Sequence, residues 1–383
     1  MKKIAIIGAS YLQLPLIRKA KELGYVTYVF AWEANDIGEK EADYFYPISI
    51  IEKEKILNKC REIEIDGICS IGSDLAIITV NYVAQCMGLV SNTLKCNEVS
   101  TNKNLMRRCF AENEDPSPKS ILVNNIDDVN KLDIKYPIII KPLDRSGSRG
   151  ITKLESKEGL EEAINKAKQE GFKKEVLIEE FVEGEEYSVE CISYEGKHQF
   201  LQMTYKYTTG SPSFIETAHL EPAPVSKEML DKVIFTVFHA LDSLKIVYGA
   251  SHSEIKIDKD KNIKIIEVGG RMGGDLIGSS LVRLSTGYDF VENVLNIALR
   301  IKPNVKKEMT NKYSAVIYIF NKKDLKKIEK IKKDNPDILV EYMIFDNFDE
   351  NITDSSNRHG YYVICSENKN TIYKYLPTIP SEI

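Results

Sequence analysis

Residues 249–275 read GASHSEIKIDKDKNIKIIEVGGRMGGD. Two runs in this stretch alternate polar and apolar residues, His252–Ile257 and Lys264–Val268, with the charged segment Lys259–Asn262 between them. Period-two alternation on both sides of a short polar segment predicts a β-hairpin. If Asp258 faces Ile263 across a four-residue loop, counting back sets Glu254 opposite Glu267. Directly opposed residues have Cβ atoms roughly 5 Å apart. Two carboxylates that close repel unless a proton or a cation lies between them. Oxygen ligands suit Mg²⁺, which is commonly held by one or two carboxylates plus substrate phosphates. Gly270-Arg271-Met272-Gly273-Gly274 follows, a flexible stretch with one fixed positive charge. The competing reading is a solvated hairpin with its acids in water, since alternating charge on an exposed strand face is ordinary.

Outward from the hairpin, the chain is too long for one small core at 383 residues, so two to four domains or subdomains are expected. A hydrophobic content of 43% with 28% charged residues is globular, and a net charge of −5 does not suggest a nucleic-acid partner. The seven cysteines are scattered, with no C-x-x-C pair, which fits reduced thiols rather than a disulfide framework or zinc site. The apolar run in MKKIAIIGAS stops at Gly8, too short for a signal-peptide core, and no run approaches a membrane span. A cytoplasmic protein with no membrane partner is the expectation.

From the N-terminus, strand-like Lys3–Gly8, a helical pattern through Leu12, Leu16, Ala20 and Leu23, and strand-like Tyr25–Phe30 alternate. A helix over 52–63, a strand over 66–71 and a helix over 75–87 continue the pattern. Alternating strands and helices predict a parallel sheet with crossover helices, a Rossmann-like layer. Its first turn is a poor dinucleotide fingerprint, because Ser10 and Gln13 stand where G-x-G-x-x-G needs glycine.

Ser100–Lys103 opens a helix with good N-cap types. Tyr136–Pro142 is a buried-type strand carrying Lys141 at its end, and residues 144–150, DRSGSRG, follow. A lysine and a Gly/Ser loop suit polyphosphate, the lysine as a point charge and the loop through backbone N–H groups. A surface turn with a snorkelling lysine is the alternative. Residues 175–190 read as two strands around a Glu-Gly break, rich in acids. There an apolar run ending in a carboxylate could serve adenine, and a later carboxylate ribose; an acidic outer face is the alternative. Residues 214–224, FIETAHLEPAP, read as a polar, Pro-rich loop of the kind that often lines a site. His219 there is equally a binding or a structural residue. The Lys-rich helix 323–333 reads as a solvated face.

In this order, Lys103, Lys141-Pro142, the 144–150 loop, Glu179-Glu180-Phe181-Val182, Glu186, Glu254, Glu267 and Arg271 resemble the ATP-grasp superfamily, in particular its carboxylate–amine ligase branch near the L-amino acid ligases and carbamoyl-phosphate-synthase-like proteins. The resemblance runs from about residue 1 to 302. It implies a mixed α/β and α+β chain: a Rossmann-like domain over 1–98, an ATP-grasp linker and lid over 99–184, a catalytic subdomain over 185–302 and a small C-terminal α+β domain over 303–383.

It also implies roles. Lys103 and Lys141 would contact the phosphates of ATP, with Ser146, Gly147 and Ser148 folded over them. Glu179 would take the adenine amino group, with Glu180, Phe181 and Val182 around the ring and Glu186 on ribose. Glu254 and Glu267 would hold Mg²⁺, or Mn²⁺ in its place. Arg271, with Lys141, would be catalytic, stabilising an acyl-phosphate. Glu216 and His219 would line the substrate pocket, together with Arg271. The chain departs from the family's Glu-x-Asn-x-Arg at Gly269, which offers no side-chain oxygen to a second metal. The implied chemistry is ADP-forming ligation of a small carboxylate to an amine or thiol, with carboxyphosphate chemistry as the near alternative. An NAD-dependent oxidoreductase or a nucleotide-binding module without turnover stand further off. A homodimer is the expected assembly.

Overall fold

The computed structural model describes residues 1–123, 135–144, 150–211, 213–304, 310–345, 348, 351–380 and 383. The expected lid residues Ser146, Gly147 and Ser148 lie outside them.

Four short strands, β1 (Lys3–Ile7), β2 (Val26–Phe30), β3 (Tyr44–Tyr46) and β4 (Gly67–Cys69), form an all-parallel sheet in the order β3-β2-β1-β4. Its core of Ile4, Ile6, Ile7, Leu16, Ile17, Val29 and Phe30 is fully buried, as expected for strands covered on both faces. Above it, the Gln13 side chain folds over Gly8. A Cβ at Gly8 would meet the Gln13 carboxamide at 2.9 Å, and Gln13 Nε2 donates to the Ile71 carbonyl at 2.7 Å.

A second sheet is small: β5 (Ser120–Val123), β6 (Ile138–Pro142), β7 (Thr152–Leu154) and β8 (Val176–Glu180), in the order β5-β8-β6-β7, backed by the helix Leu160–Glu170. The third sheet has eight strands, β9 (Glu185–Tyr194), β10 (Lys197–Thr208), β11 (Glu216–Glu221), β12 (Gly249–Ile257), β13 (Ile263–Gly269), β14 (Tyr313–Tyr318), β15 (Leu339–Ile344) and β16 (Gly360–Ser366). Their order is β13-β12-β9-β10-β11-β14-β16-β15. The site described below lies between the small sheet and this large one.

Three expectations change. The stretch 214–224 is not a loop: Glu216–Glu221 is β11, an interior strand whose polar side chains find partners inside. The segment beyond residue 303 does not form a separate sheet; β14, β15 and β16 extend the large one through β11 and share its hydrophobic core. The glycine-rich stretch 269–274 is packed rather than loose. The Gly273 N–H donates to Glu190 at 2.9 Å, and a Cβ at Gly273 would stand 2.5 Å from a Glu190 carboxylate oxygen.

Candidate active site

The hairpin β12–β13 sets Glu254 opposite Glu267, as the alternation predicts, but by another register. The turn is one residue longer than counted, so Ile257 pairs with Ile263 and Ile255 with Ile265. A bulge then inserts Ile266 and returns Glu254 to Glu267. Bulges re-aim side chains next to active sites. The carbonyl freed at Ile266 accepts from Arg107 Nη2 at 2.5 Å.

Each of the two carboxylates meets a lysine from elsewhere. Lys103 Nζ donates to Glu267 Oε1 at 2.6 Å, and Lys206 Nζ to Glu254 Oε1 at 2.7 Å. Lys103 begins the helix Lys103–Glu112, capped by the Asn102 side chain. The buried face of that helix is Lys103, Met106, Arg107 and Phe110, so two cations share its inward stripe at i and i+4. Lys206, on β10, also lies 2.9 Å from Glu186 and 3.8 Å from Glu216. Burial lowers the Lys206 ammonium pKa, but Glu254, Glu186 and Glu216 outweigh it and hold it well above its ordinary value. Burial likewise raises the Glu254 carboxyl, and Lys206 and His252 then draw it well below the usual range. His252 Nδ1 bonds to the buried Glu190 carboxylate.

The second cluster centres on Glu179, at the end of β8. Its Oε2 lies 2.5 Å from Lys141 Nζ and accepts from Arg107 Nη2 at 3.3 Å, while Oε1 forms an ion pair with Arg107 Nε at 2.7 Å. Burial is the largest influence on Lys141; with Arg107 and Lys103 nearby it leaves this ammonium below its ordinary pKa, despite Glu179. Neighbouring strand residues face opposite ways, and Glu180 accordingly turns to the Lys119 N–H at 3.3 Å and to Lys264 at 3.7 Å, away from Lys141. Phe181 follows, with its N–H on the Pro137 carbonyl at 3.0 Å and Lys153 Nζ 3.9 Å from its ring centroid. Val182 lies half-buried in the turn to β9.

Arg271 reaches across to the parallel domain. Its Nε and Nη2 grip Asp74 at 2.8 and 3.0 Å, a two-pronged pair. Asp74 opens the helix Asp74–Met87. Burial raises the Asp74 carboxyl, and Arg271, Lys103 and His252 more than offset that. This pair accounts for Gly269: a Cβ there would stand 2.9 Å from Asp74 Oδ1 and 3.2 Å from Arg271 Nε. An asparagine at 269 and the Asp74–Arg271 pair compete for one space.

The expected substrate residues Glu216 and His219 both lie on β11, where His219 pairs with Lys206 across the sheet. Thus the structure brings together Lys103, Lys141, Glu179, Glu186, Glu216, Glu254, Glu267 and Arg271, with the Glu180 side chain turned the other way. Arg107, Lys206 and Asp74 were not anticipated. The first two carry a signal in the sequence. Arg107 continues an otherwise apolar stripe four residues after Lys103, and Lys206 is the one charge between Phe200 and Thr208. Asp74 carries none, because only the fold brings it to Arg271.

The donor set at Glu254 and Glu267 fits a hard divalent cation: two opposed carboxylates, partly exposed, each meeting a positive charge. Among the described residues no three His, Cys, Asp or Glu side chains converge on one point, so further ligands would be water and phosphate oxygens.

An eight-stranded antiparallel sheet faces a small four-stranded one, with Lys206 of the large sheet and Lys103 of a helix on the hairpin carboxylates and Lys141 of the small sheet on Glu179. Residues 134–279 match the ATP-grasp domain. It is 25% identical over 266 residues to alanine–anticapsin ligase of Bacillus subtilis (strain 168), covering 61% of this chain and 56% of that protein. The chain thus matches little more than half the length of that relative. In fold it is similar to L-amino acid ligase from Bacillus licheniformis, with a TM-score of 0.83 and 21% identity over 98% of this chain and 96% of the other. It is also similar to the biotin carboxylase domain of Hydrogenobacter thermophilus 2-oxoglutarate carboxylase, crystallised with MgADP, ADP and bicarbonate, with a TM-score of 0.75 and 18% identity over 96% and 86% of the two chains.

Proposed function

We propose that this protein is an ATP-dependent carboxylate–amine ligase that activates an amino acid or another small carboxylate by phosphorylation. The observation that carries this reading is the pair Glu254–Glu267 on one hairpin, with Lys103, Lys141 and Lys206 from three separate elements around it. A substrate carboxylate oxygen attacks the γ-phosphorus of ATP, the bond to the β-phosphate oxygen breaks and ADP leaves. The acceptor amine then attacks the acyl carbon, phosphate leaves, and the amine loses a proton as the amide forms.

This chain's residues do three things in that sequence. Lys103, Lys141 and Lys206 neutralise the triphosphate, and fixed charges of this kind act most strongly where water is excluded. Glu179 keeps lone pairs to spare after meeting Lys141 and Arg107, since a carboxylate offers about four acceptor sites; one of them takes the adenine amino group, against Phe181 and Val182, while Glu186 reaches the ribose. Arg271, held by Asp74, stands ready for the charge that develops on the acyl-phosphate and its tetrahedral successor. Glu254 and Glu267 would hold Mg²⁺, or Mn²⁺, which when bound screens the phosphate oxygens from the incoming carboxylate.

Similarity to a bicarbonate-bound carboxylase domain favours one second reading, formation of carboxyphosphate from bicarbonate. ADP release from Mg²⁺-ATP, read against single amino acids, amino-acid pairs and bicarbonate, tests both. Release that requires an amino acid, with a ligated product by mass, is the expected result. Release that follows bicarbonate moves the protein to the carboxylase side, and binding of ATP with no release in any arm overturns the ligase.

A further inference from the structure

The turn that carries Arg271 is held at three consecutive residues. The Arg271 side chain grips Asp74, the Met272 carbonyl accepts from the Gly72 N–H at 3.2 Å, and the Gly273 N–H donates to Glu190 Oε2 at 2.9 Å. The first two partners follow β4 of the parallel sheet. The third, Glu190, lies on β9, in the large sheet that carries the metal hairpin.

Glu190 reaches the hairpin as well. It stands in register with His252 on β12, which in turn faces Gly269 on β13. Glu190 Oε1 bonds to His252 Nδ1, and His252 Nε2 lies 3.5 Å from Glu254 Oε1, the oxygen that also accepts from Lys206. Through its two oxygens one carboxylate thus touches the strand that presents Glu254 and the turn that presents Arg271. Glu190 is wholly buried, and the His252 side chain is 7% exposed. Stability alone does not account for such a pair, because apolar residues of similar volume often serve a core as well. The fit is also tight. A Cβ on Gly273 would stand 2.5 Å from Glu190 Oε1 and 2.7 Å from His252 Nδ1, so the turn is seated against the pair with no room for a side chain between them.

The contacts on Glu254 gather on one oxygen, Oε1, which leaves Oε2 for a cation. Carboxylates that ligate a metal are held by outer partners in this way, and losing such a partner costs roughly 10–100-fold in metal affinity or activity.

We propose that Glu190 is a positioning residue that sets Arg271 against the metal carboxylate Glu254, acting on the turn through the Gly273 N–H and on Glu254 through His252. This rests on the ligase reading, in which Arg271 and the metal serve the same phosphoryl group. Arg271 is fixed to the residues after β4 and Glu254 to the large sheet, so their separation depends on a link between the two. Glu190 is that link, and it makes the separation a property of one side chain.

Mn²⁺ binding and hydrogen exchange test this without turnover. Full-length protein is incubated with ADP, free Mn²⁺ is read by electron paramagnetic resonance, and backbone exchange over 271–275 is read by mass spectrometry. Glu190→Met keeps the volume and removes both acceptor oxygens. It should weaken Mn²⁺ binding roughly tenfold or more and speed exchange over 271–275, with affinity for metal-free ADP unchanged, which shows that the variant is folded. His252→Gln separates the two contacts. Mn²⁺ binding should weaken, while exchange over 271–275 stays as in wild type, because the Gly273 contact is made by the other oxygen of Glu190. A side chain that only supports the fold would move both readouts together in both variants. Should Glu190→Met not fold, Glu190→Gln, with one acceptor oxygen in place of two, must still weaken Mn²⁺ binding or speed exchange. The proposal is overturned by wild-type Mn²⁺ affinity or wild-type exchange in Glu190→Met, by exchange that rises equally in His252→Gln, by neither change in Glu190→Gln, or by a wild type that holds no Mn²⁺ beside ADP. ADP release from Mg²⁺-ATP by wild type judges the ligase reading separately, so either can fail while the other stands.

Discussion

Two groups of carboxylates in this protein are paired by different side chains. At the proposed phosphate end the partners of Glu267, Glu254 and one oxygen of Glu179 are the lysines Lys103, Lys206 and Lys141. Elsewhere Asp275 is held by Arg358, and Asp74 is held by Arg271. Lysine is a point charge on a flexible stem, whereas arginine presents a rigid planar fork. An ammonium can leave a carboxylate for a phosphate while a cation takes its place. A two-pronged guanidinium–carboxylate pair is a fixture. In the proposed site the exchangeable contacts would stand where phosphate and metal enter, and Arg107 on Glu179 and Arg271 on Asp74 would be the fixed ones.

The largest expected effect tests the fixed side. In Arg271→Lys the ammonium cannot span both oxygens of Asp74, so the charge loses its placement. Steady-state ADP release should fall roughly 10²–10³-fold in kcat, the scale for losing one preorganised stabilising donor, with little change in nucleotide affinity. A loss confined to KM would show that Arg271 binds substrate in its ground state and does not serve the transition state.

Lys206→Met tests the exchangeable side. Removing the ammonium strands Glu254, Glu186 and Glu216 with like charges close together, and breaking a buried pair in this way costs roughly 3–5 kcal/mol. Thermal unfolding should show a large drop without divalent cation and partial recovery with Mg²⁺, which supplies a positive charge to Glu254. If Mg²⁺ restores nothing, the carboxylates are not interchangeable between lysine and metal.

Glu221 sharpens the contrast, because it is neutralised by a proton. It is fully buried on β11, with Thr204 Oγ1 donating to one oxygen at 2.8 Å and Ser285 Oγ to the other at 3.0 Å. Burial pushes its pKa up to about 8. The sign follows from linkage. Between the unfolded carboxyl's pKa and about 8 the folded state binds the extra proton, so stability falls as pH rises through that window and levels off above it. Each unit of difference is worth about 1.4 kcal/mol, so Glu221→Gln should flatten the decline by roughly 2–4 kcal/mol. Melting temperatures of the two proteins from pH 5 to 9 give the comparison; parallel curves would remove Glu221 as the cause.

How much of this was legible in the sequence depends on how far apart the partners lie along the chain. The hairpin carboxylates were, because Glu254 and Glu267 are set by local alternation, and even a miscounted turn returned the right pair once the Ile266 bulge absorbed the error. The parallel sheet was legible for the same reason. The stretch Glu216–Glu221 was misread as a loop: its polar residues and flanking prolines look like turn material, yet His219 and Glu221 are wholly buried within an eight-stranded sheet. No local pattern could show that Thr204 and Ser285 would satisfy Glu221. The link from Asp74 to Arg271 spans 197 residues, and only tertiary packing creates it.

That link also yields the smallest effect and the most specific one. Gly269 stands where the family pattern has asparagine, and the structure gives a steric reason: a side chain there meets the Asp74–Arg271 pair. Gly269→Asn should destabilise the protein by pushing Asp74 aside, and Asp74→Ala should do so by leaving Arg271 unpaired. Combined, the asparagine enters the space that aspartate vacates and offers its side-chain oxygen to Arg271. The double variant should therefore be better than the sum of the singles, by a coupling energy of roughly 1 kcal/mol, within the range for residues in contact. Denaturant unfolding of the four proteins closes the cycle. Simple additivity would mean that glycine at 269 and aspartate at 74 are independent, and that Asp74 does not take the place of the missing side chain.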